Sequence, residues 1–167
     1  MGTSPYFVRS KIQNKDSAAL AEELIALAKP ISCIITHEPS EDTHIVWLSR
    51  CDEQGETVQS IMVYCDQETK YPTFIIDGTN YYQEYFIDAV HYDEENPNSG
   101  LLLEFAAEYM KKYPDALLYC GTPPFFDRED ILRIAAKPFD PKWYFLERSH
   151  LRMLAADKSG KIWRTQP

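Results

Sequence analysis

Two histidines, His37 and His44, stand seven residues apart across a turn-rich segment with Glu38 beside the first, and a third, His91, lies two residues before Asp93. Imidazole and carboxylate are ordinary ligands of divalent metals. The H-E-x5-H spacing is not the helical H-E-x-x-H of zinc proteases, and the four cysteines contain no C-x-x-C pair, so the sequence predicts no metal centre and no cofactor. Glu84 and Asp88, four residues apart, share a face in a helix and equally in a strand. Without a convergent pocket, such carboxylates are more commonly solvated charges than an acid–base pair. A thiolate–imidazole pair would need Cys51 or Cys120 beside His37, His44, His91 or His150. Cys33 and Cys65 sit in or beside apolar runs and read as small hydrophobes. Neither a glycine-rich phosphate loop nor G-x-S-x-G occurs, which removes support for P-loop enzymes and for serine hydrolases of the nucleophile-elbow type. The balance favours a non-catalytic protein.

Charge gives the stronger signal. From Glu38 to Glu95 there are fourteen acids against Arg50 and Lys70 alone, a net of −12 in a chain whose total is −9. From Arg128 to Pro167, nine basic residues face five acids. An acidic tract repels nucleic-acid backbone and attracts cationic proteins, so no nucleic-acid partner is expected through this region and a basic protein is. Aromatic residues lie among the acids, and Tyr and Trp are favoured interface anchors. The residues expected to meet the partner are Trp47, Asp52, Glu53, Glu56, Tyr82, Glu84, Asp88, Asp93, Glu94 and Glu95.

The elements that must position these groups follow from periodicity. Tyr6 to Ile12 reads as a strand, and Asp16 caps a helix through Leu20, Leu24 and Leu27 that stops before Pro30. Ile31–Thr36, His44–Ser49, Thr57–Cys65 and Tyr71–Gly78 are β-branched or aromatic runs separated by turns, and Thr79–Tyr92 supplies a fifth. A second helix, capped by Asn98 or Ser99, carries Leu102, Phe105, Ala106 and Tyr109 up to Pro114. Ala116–Gly121 reads as a buried strand, and Asp127 with Asp130 starts a third helix that Pro138 ends. Beyond Trp143 the pattern turns strand-like, with Asp157–Gly160 as a hairpin turn.

The expected fold is one α+β domain over 1–167: a mainly antiparallel meander of five to seven strands, two or three helices on one face, the other face free, and a C-terminal β-hairpin. The start of the chain shows no secretory signal, and no apolar run approaches the length of a membrane span, so a cytoplasmic location without membrane contact is expected. In being small, acidic and α+β the chain resembles bacterial immunity proteins, an analogy carried by no motif. The expected function is binding, and neutralising, a basic partner. A small enzyme or ligand-binding module is the alternative, with a pocket between sheet and helices using Glu84, Asp88, His91 or His37. Homodimerisation through an edge strand or the C-terminal hairpin is a further arrangement the sequence admits.

Overall fold

Alternation in the first strand sets the two faces of the molecule. In the computed structural model, which describes residues 4–88, 97–120, 125–146 and 163–164, β1 (Tyr6–Arg9) lies inside the sheet, between two later strands. Phe7 and Arg9 point to one side of it, and Tyr6 and Val8 to the other. After β1 come α1 (Ser17–Ala28), β2 (Ile34–Glu38), β3 (Ile45–Cys51), β4 (Thr57–Gln67), β5 (Phe74–Ile76) and β6 (Thr79–Asp88). Then follow α2 (Ser99–Lys112), β7 (Leu117–Tyr119), β8 (Phe125–Phe126), α3 (Arg128–Ala135), the single turn α4 (Trp143–Leu146) and β9 (Trp163–Arg164). The main sheet runs β2-β3-β4-β6-β1-β7-β8, and every pairing is antiparallel.

This is the α+β class that the patterning predicts. Helix α1 packs on β3 and β4, and α2 on β4 and α1, so both lie on one face. Their apolar stripes, Leu20, Leu24 and Ala28 from α1 and Leu102, Phe105, Ala106 and Tyr109 from α2, meet Val46, Leu48, Ile61, Val63 and Ile87 in the principal core. The Asp16 carboxylate accepts the Ala19 N–H at 2.8 Å as N-cap of α1. Asp127 and Asp130 form a reciprocal capping box on α3. Asn98 occupies the N-cap position of α2 without capping it, because its side-chain oxygen accepts the Ser60 N–H of β4 instead.

Strand limits shift from expectation where side chains end pairing. β1 stops at Arg9, and the Lys11 N–H donates to the Asp115 carboxylate. The β7–β8 pair supplies a hairpin in the C-terminal third. The turn expected at Asp157–Gly160 lies outside the described residues. Trp143–Tyr144, read as strand-like, begin a helical turn, with the Trp143 indole donating to the Ser99 carbonyl at 3.1 Å.

The face away from the helices is only half open. β6 bends so that Tyr81 pairs with Phe74 of β5 while Tyr82 pairs with Arg9 of β1. The β5–β6 hairpin turns through Asp77 and Gly78, both at positive φ, and carries Phe74 onto Tyr6, Val8, Leu117 and Phe125 as a second core. Over β2, β3 and β4, no described helix covers this face.

Candidate functional site

Cross-strand partners lie on the same side of a sheet, so register decides which of the expected residues can act together. Trp47 pairs with Thr36 and with Met62, and Met62 pairs with Asp88, forming one row on the helix-free face. The adjacent row on that face is Glu38, Ile45, Tyr64 and Phe86, with the Tyr64 and Phe86 rings edge to face at 5.8 Å between centroids. Trp47, Met62, Tyr64 and Phe86 are half-buried, while Ile34 at the β2 edge is 57% exposed. Trp47 and Asp88 are therefore brought together, with Met62, Tyr64 and Phe86 as neighbours the sequence did not single out.

Glu84 and Tyr82 are not part of this surface. Tyr85, at φ 56°, is an extra residue in β6, so that Tyr6 opposes Phe86 while Phe7 opposes Glu84. The bulge switches side-chain parity: Asp88 faces the helix-free side, whereas Glu84, and Tyr82 opposite Arg9, face the helices. The expected common face of Glu84 and Asp88 is thus lost, and with it any carboxylate pair.

Glu84 is fully buried in a polar network sealed between sheet and helices. It accepts from the Tyr109 hydroxyl at 2.7 Å and from Gln67 Nε2 at 2.6 Å, with Arg9 Nη1 at 3.9 Å. Arg9 also bonds Asp115 at 3.2 Å and lies 3.8 Å over the Tyr113 ring. Glu23 of α1 accepts from Lys15 at 2.5 Å, from Tyr85 at 3.1 Å and from the Tyr113 hydroxyl. Burial alone would raise Glu23, but hydrogen bonds from Lys15 and Tyr113 outweigh it and hold the carboxyl below its usual range. Burial would likewise lower Arg9 and Lys15, yet Tyr109 and Asp115 around the first and Glu23 beside the second leave both raised. Burial, with Glu23 and Glu84 nearby, pushes the Tyr85 and Tyr109 phenols up. Each of these shifts moves a group away from neutral pH, the reverse of what acid–base catalysis needs. The network holds the fold together.

The cysteines differ in environment. Burial pushes Cys65 up to about 12 and raises Cys33 as well. Cys51 is exposed at the far end of β3 from His44, seven residues of extended chain or roughly 23 Å away. Cys120 is buried, and His91 and His150 lie outside the described residues. His37 and His44, however, are in direct contact, Nε2 to Nδ1 at 2.8 Å.

The acids divide by location. Asp52, Glu53 and Glu56 form the exposed β3–β4 turn, where the Asp52 carboxylate accepts the N–H groups of Gln54 and Glu56 at 2.9 Å. Glu38, Glu41 and Asp42 lie at the opposite end of the hairpin stack. None of these six has an ion-pair partner among the described residues, whereas Glu23, Glu84, Glu104, Glu108, Asp115 and Asp130 all do. Asp93, Glu94 and Glu95 lie outside the described residues. Asp88 pairs with Met62 of β4, and β6 runs toward the end of the sheet that holds Asp52–Glu56.

Two clefts flank Arg50 at this same end. One, of about 310 Å³, is lined by Gln59, Leu103, Glu104, Lys137 and Phe139. The other, of about 430 Å³, is a wide depression among Ser32, Cys33, Ile34, Ser49 and Cys51. Arg50 itself is engaged by the Ser32 carbonyl at 2.9 Å and by the Glu104 carboxylate. Of the four groups expected to line a ligand pocket, the three among the described residues do not converge, since Glu84 and Asp88 face opposite sides and His37 is near the end of β2; His91 lies outside the described residues. Comparison with protein families, with characterised proteins and with solved structures gives no match. No helix among the described residues is long and apolar enough to cross a membrane.

Proposed function

We propose that this chain binds a basic protein on the helix-free part of its sheet, with Trp47, Met62, Tyr64 and Phe86 as apolar anchors and Asp52, Glu53, Glu56 and Asp88 as an acidic rim. The observation that carries the reading is that Asp52, Glu53 and Glu56 gather, exposed and without an ion-pair partner among the described residues, at one end of the helix-free part of the sheet, whereas the buried carboxylates Glu23, Glu84 and Asp130 are paired with cations. The exposed charge of Asp52, Glu53 and Glu56 steers a cationic partner, and half-buried aromatics at the centre supply the contact energy. Occupying and neutralising a cationic effector, as an immunity protein does, is the role such a surface suits.

The test is capture from source cells by the immobilised protein, compared with an Asp52→Asn, Glu53→Gln, Glu56→Gln variant and with Trp47→Ala. The reading expects a net-basic protein retained in near-equal amount by the parent, released as salt rises, and retained at least tenfold less by either variant. Equal recovery by parent and variants contradicts it.

A further inference from the structure

We propose that His37 and His44 form a two-histidine site for a divalent transition-metal ion with tetragonal preference, of the nickel or copper class. His37 pairs with Val46 across the β2–β3 ladder, so His44, two residues before Val46, is its diagonal neighbour on the same face. The rings lie 5.0 Å apart between centroids at 34°, with Nε2 of His37 2.8 Å from Nδ1 of His44. Two nitrogens bound at about 2.0–2.1 Å to one metal are roughly 2.8–3.0 Å apart at a right angle and about 3.3 Å apart at the tetrahedral angle. The observed separation is that of a hydrogen bond between the rings and lies close to the right-angled edge, so little change in spacing is needed to reach the geometry that Cu²⁺ and Ni²⁺ adopt with imidazole ligands. In the hydrogen-bonded pair the two nitrogens meet nearly head-on, so each ring turns by roughly 45° to point its lone pair at a common apex.

The backbone under both rings is fixed, which lowers the ordering cost of binding. His37 is held in the ladder, and the His44 N–H donates to Ser17 Oγ at 2.7 Å while its carbonyl accepts the Cys65 N–H at 2.9 Å. Ser17 Oγ in turn donates to the Cys65 carbonyl at 2.7 Å, tying the hairpin to the start of α1. Glu41 and Asp42 of the β2–β3 turn, with Glu38 on the opposite face of β2, place negative charge at this end of the hairpin, which raises the local concentration of a dication. Among the described residues, no cluster of three or more metal-binding side chains occurs, so the protein supplies two ligands and water the others. On binding, the hydrogen between the rings moves to the far nitrogen of the ring that carries it, and two neutral imidazoles coordinate without net loss of a proton.

The experiment is calorimetric titration of untagged protein with Ni²⁺, chosen because it does not oxidise the exposed Cys51 thiol as Cu²⁺ would. Parent protein is compared with His37→Gln, His44→Gln and a His91→Gln, His150→Gln control, each first checked for an unchanged thermal transition without metal. The expected result is one equivalent bound by parent and control, with affinity at least tenfold weaker in either single variant, and a rise in Tm with Ni²⁺ that only parent and control show. Equal affinity in parent and single variants, loss in the control alone, or no binding by the parent overturns the proposal. If the single variants do not fold, broadening by Ni²⁺ of parent resonances decides: confinement to residues around His37 and His44 supports the site, and any other pattern refutes it.

Discussion

Glu84 shows how one residue's environment decides its role. A carboxylate fully removed from water is tolerated only when its lone pairs are filled, and here Tyr109, Gln67 and Arg9 fill them. Glu84→Ala leaves Arg9 short of a counter-charge inside the fold and is expected to cost about 3–5 kcal/mol in urea unfolding, with Glu84→Gln costing less. Glu23 predicts a pH effect. Its folded carboxyl lies below the unfolded value of about 4.3, so its contribution is complete above that value and is lost as pH falls through the lower, folded value. Stability of the parent should therefore decline below about pH 4.3 more steeply than that of Glu23→Gln, read from urea midpoints across the acid range. An identical acid slope would contradict this assignment. Glu23 lies within the helical stripe of Leu20, Leu24 and Leu27, and the sequence did not single it out. Its partner Lys15 lies just ahead of the helix, but Tyr113 is ninety residues away, and nothing in the chain pairs the two.

At the scale of elements, the turns and caps carry local chemistry and were readable. Asp16 and Asp127 begin the helices they were expected to begin, because side-chain acceptors for the first free N–H groups are a short-range signal. The bulge at Tyr85 was not readable: a tyrosine at positive φ has no sequence signature, and it alone reverses the faces of Glu84 and Asp88. The β5–β6 turn offers a clean test of backbone cost. Gly78 has φ +77°, and a Cβ built there meets nothing within 4 Å, so Gly78→Ala should destabilise by about 1 kcal/mol through conformation alone. Gly78→Asn should recover most of that loss, as asparagine tolerates the left-handed region. Equal losses for both would point to a side-chain cause instead.

For the whole molecule, class and helix placement follow from periodicity, whereas the insertion of β1 between β6 and β7 does not, since pairing across more than a hundred residues leaves no local trace. That insertion creates two unlike halves of the helix-free face, one closed by the β5–β6 hairpin over Tyr6 and Val8, the other presenting Trp47, Met62, Tyr64 and Phe86. The acids of the sheet turns stand at the two ends of the open half, and binding of a cationic protein there should weaken steeply with ionic strength. The direct test is amide hydrogen exchange of the free protein against its complex with the captured basic partner. The account predicts added protection in β3, β4 and the Asp52–Glu56 turn, with α1, α2 and α3 unchanged. Protection confined to the helices, with β3 and β4 unaltered, would contradict it.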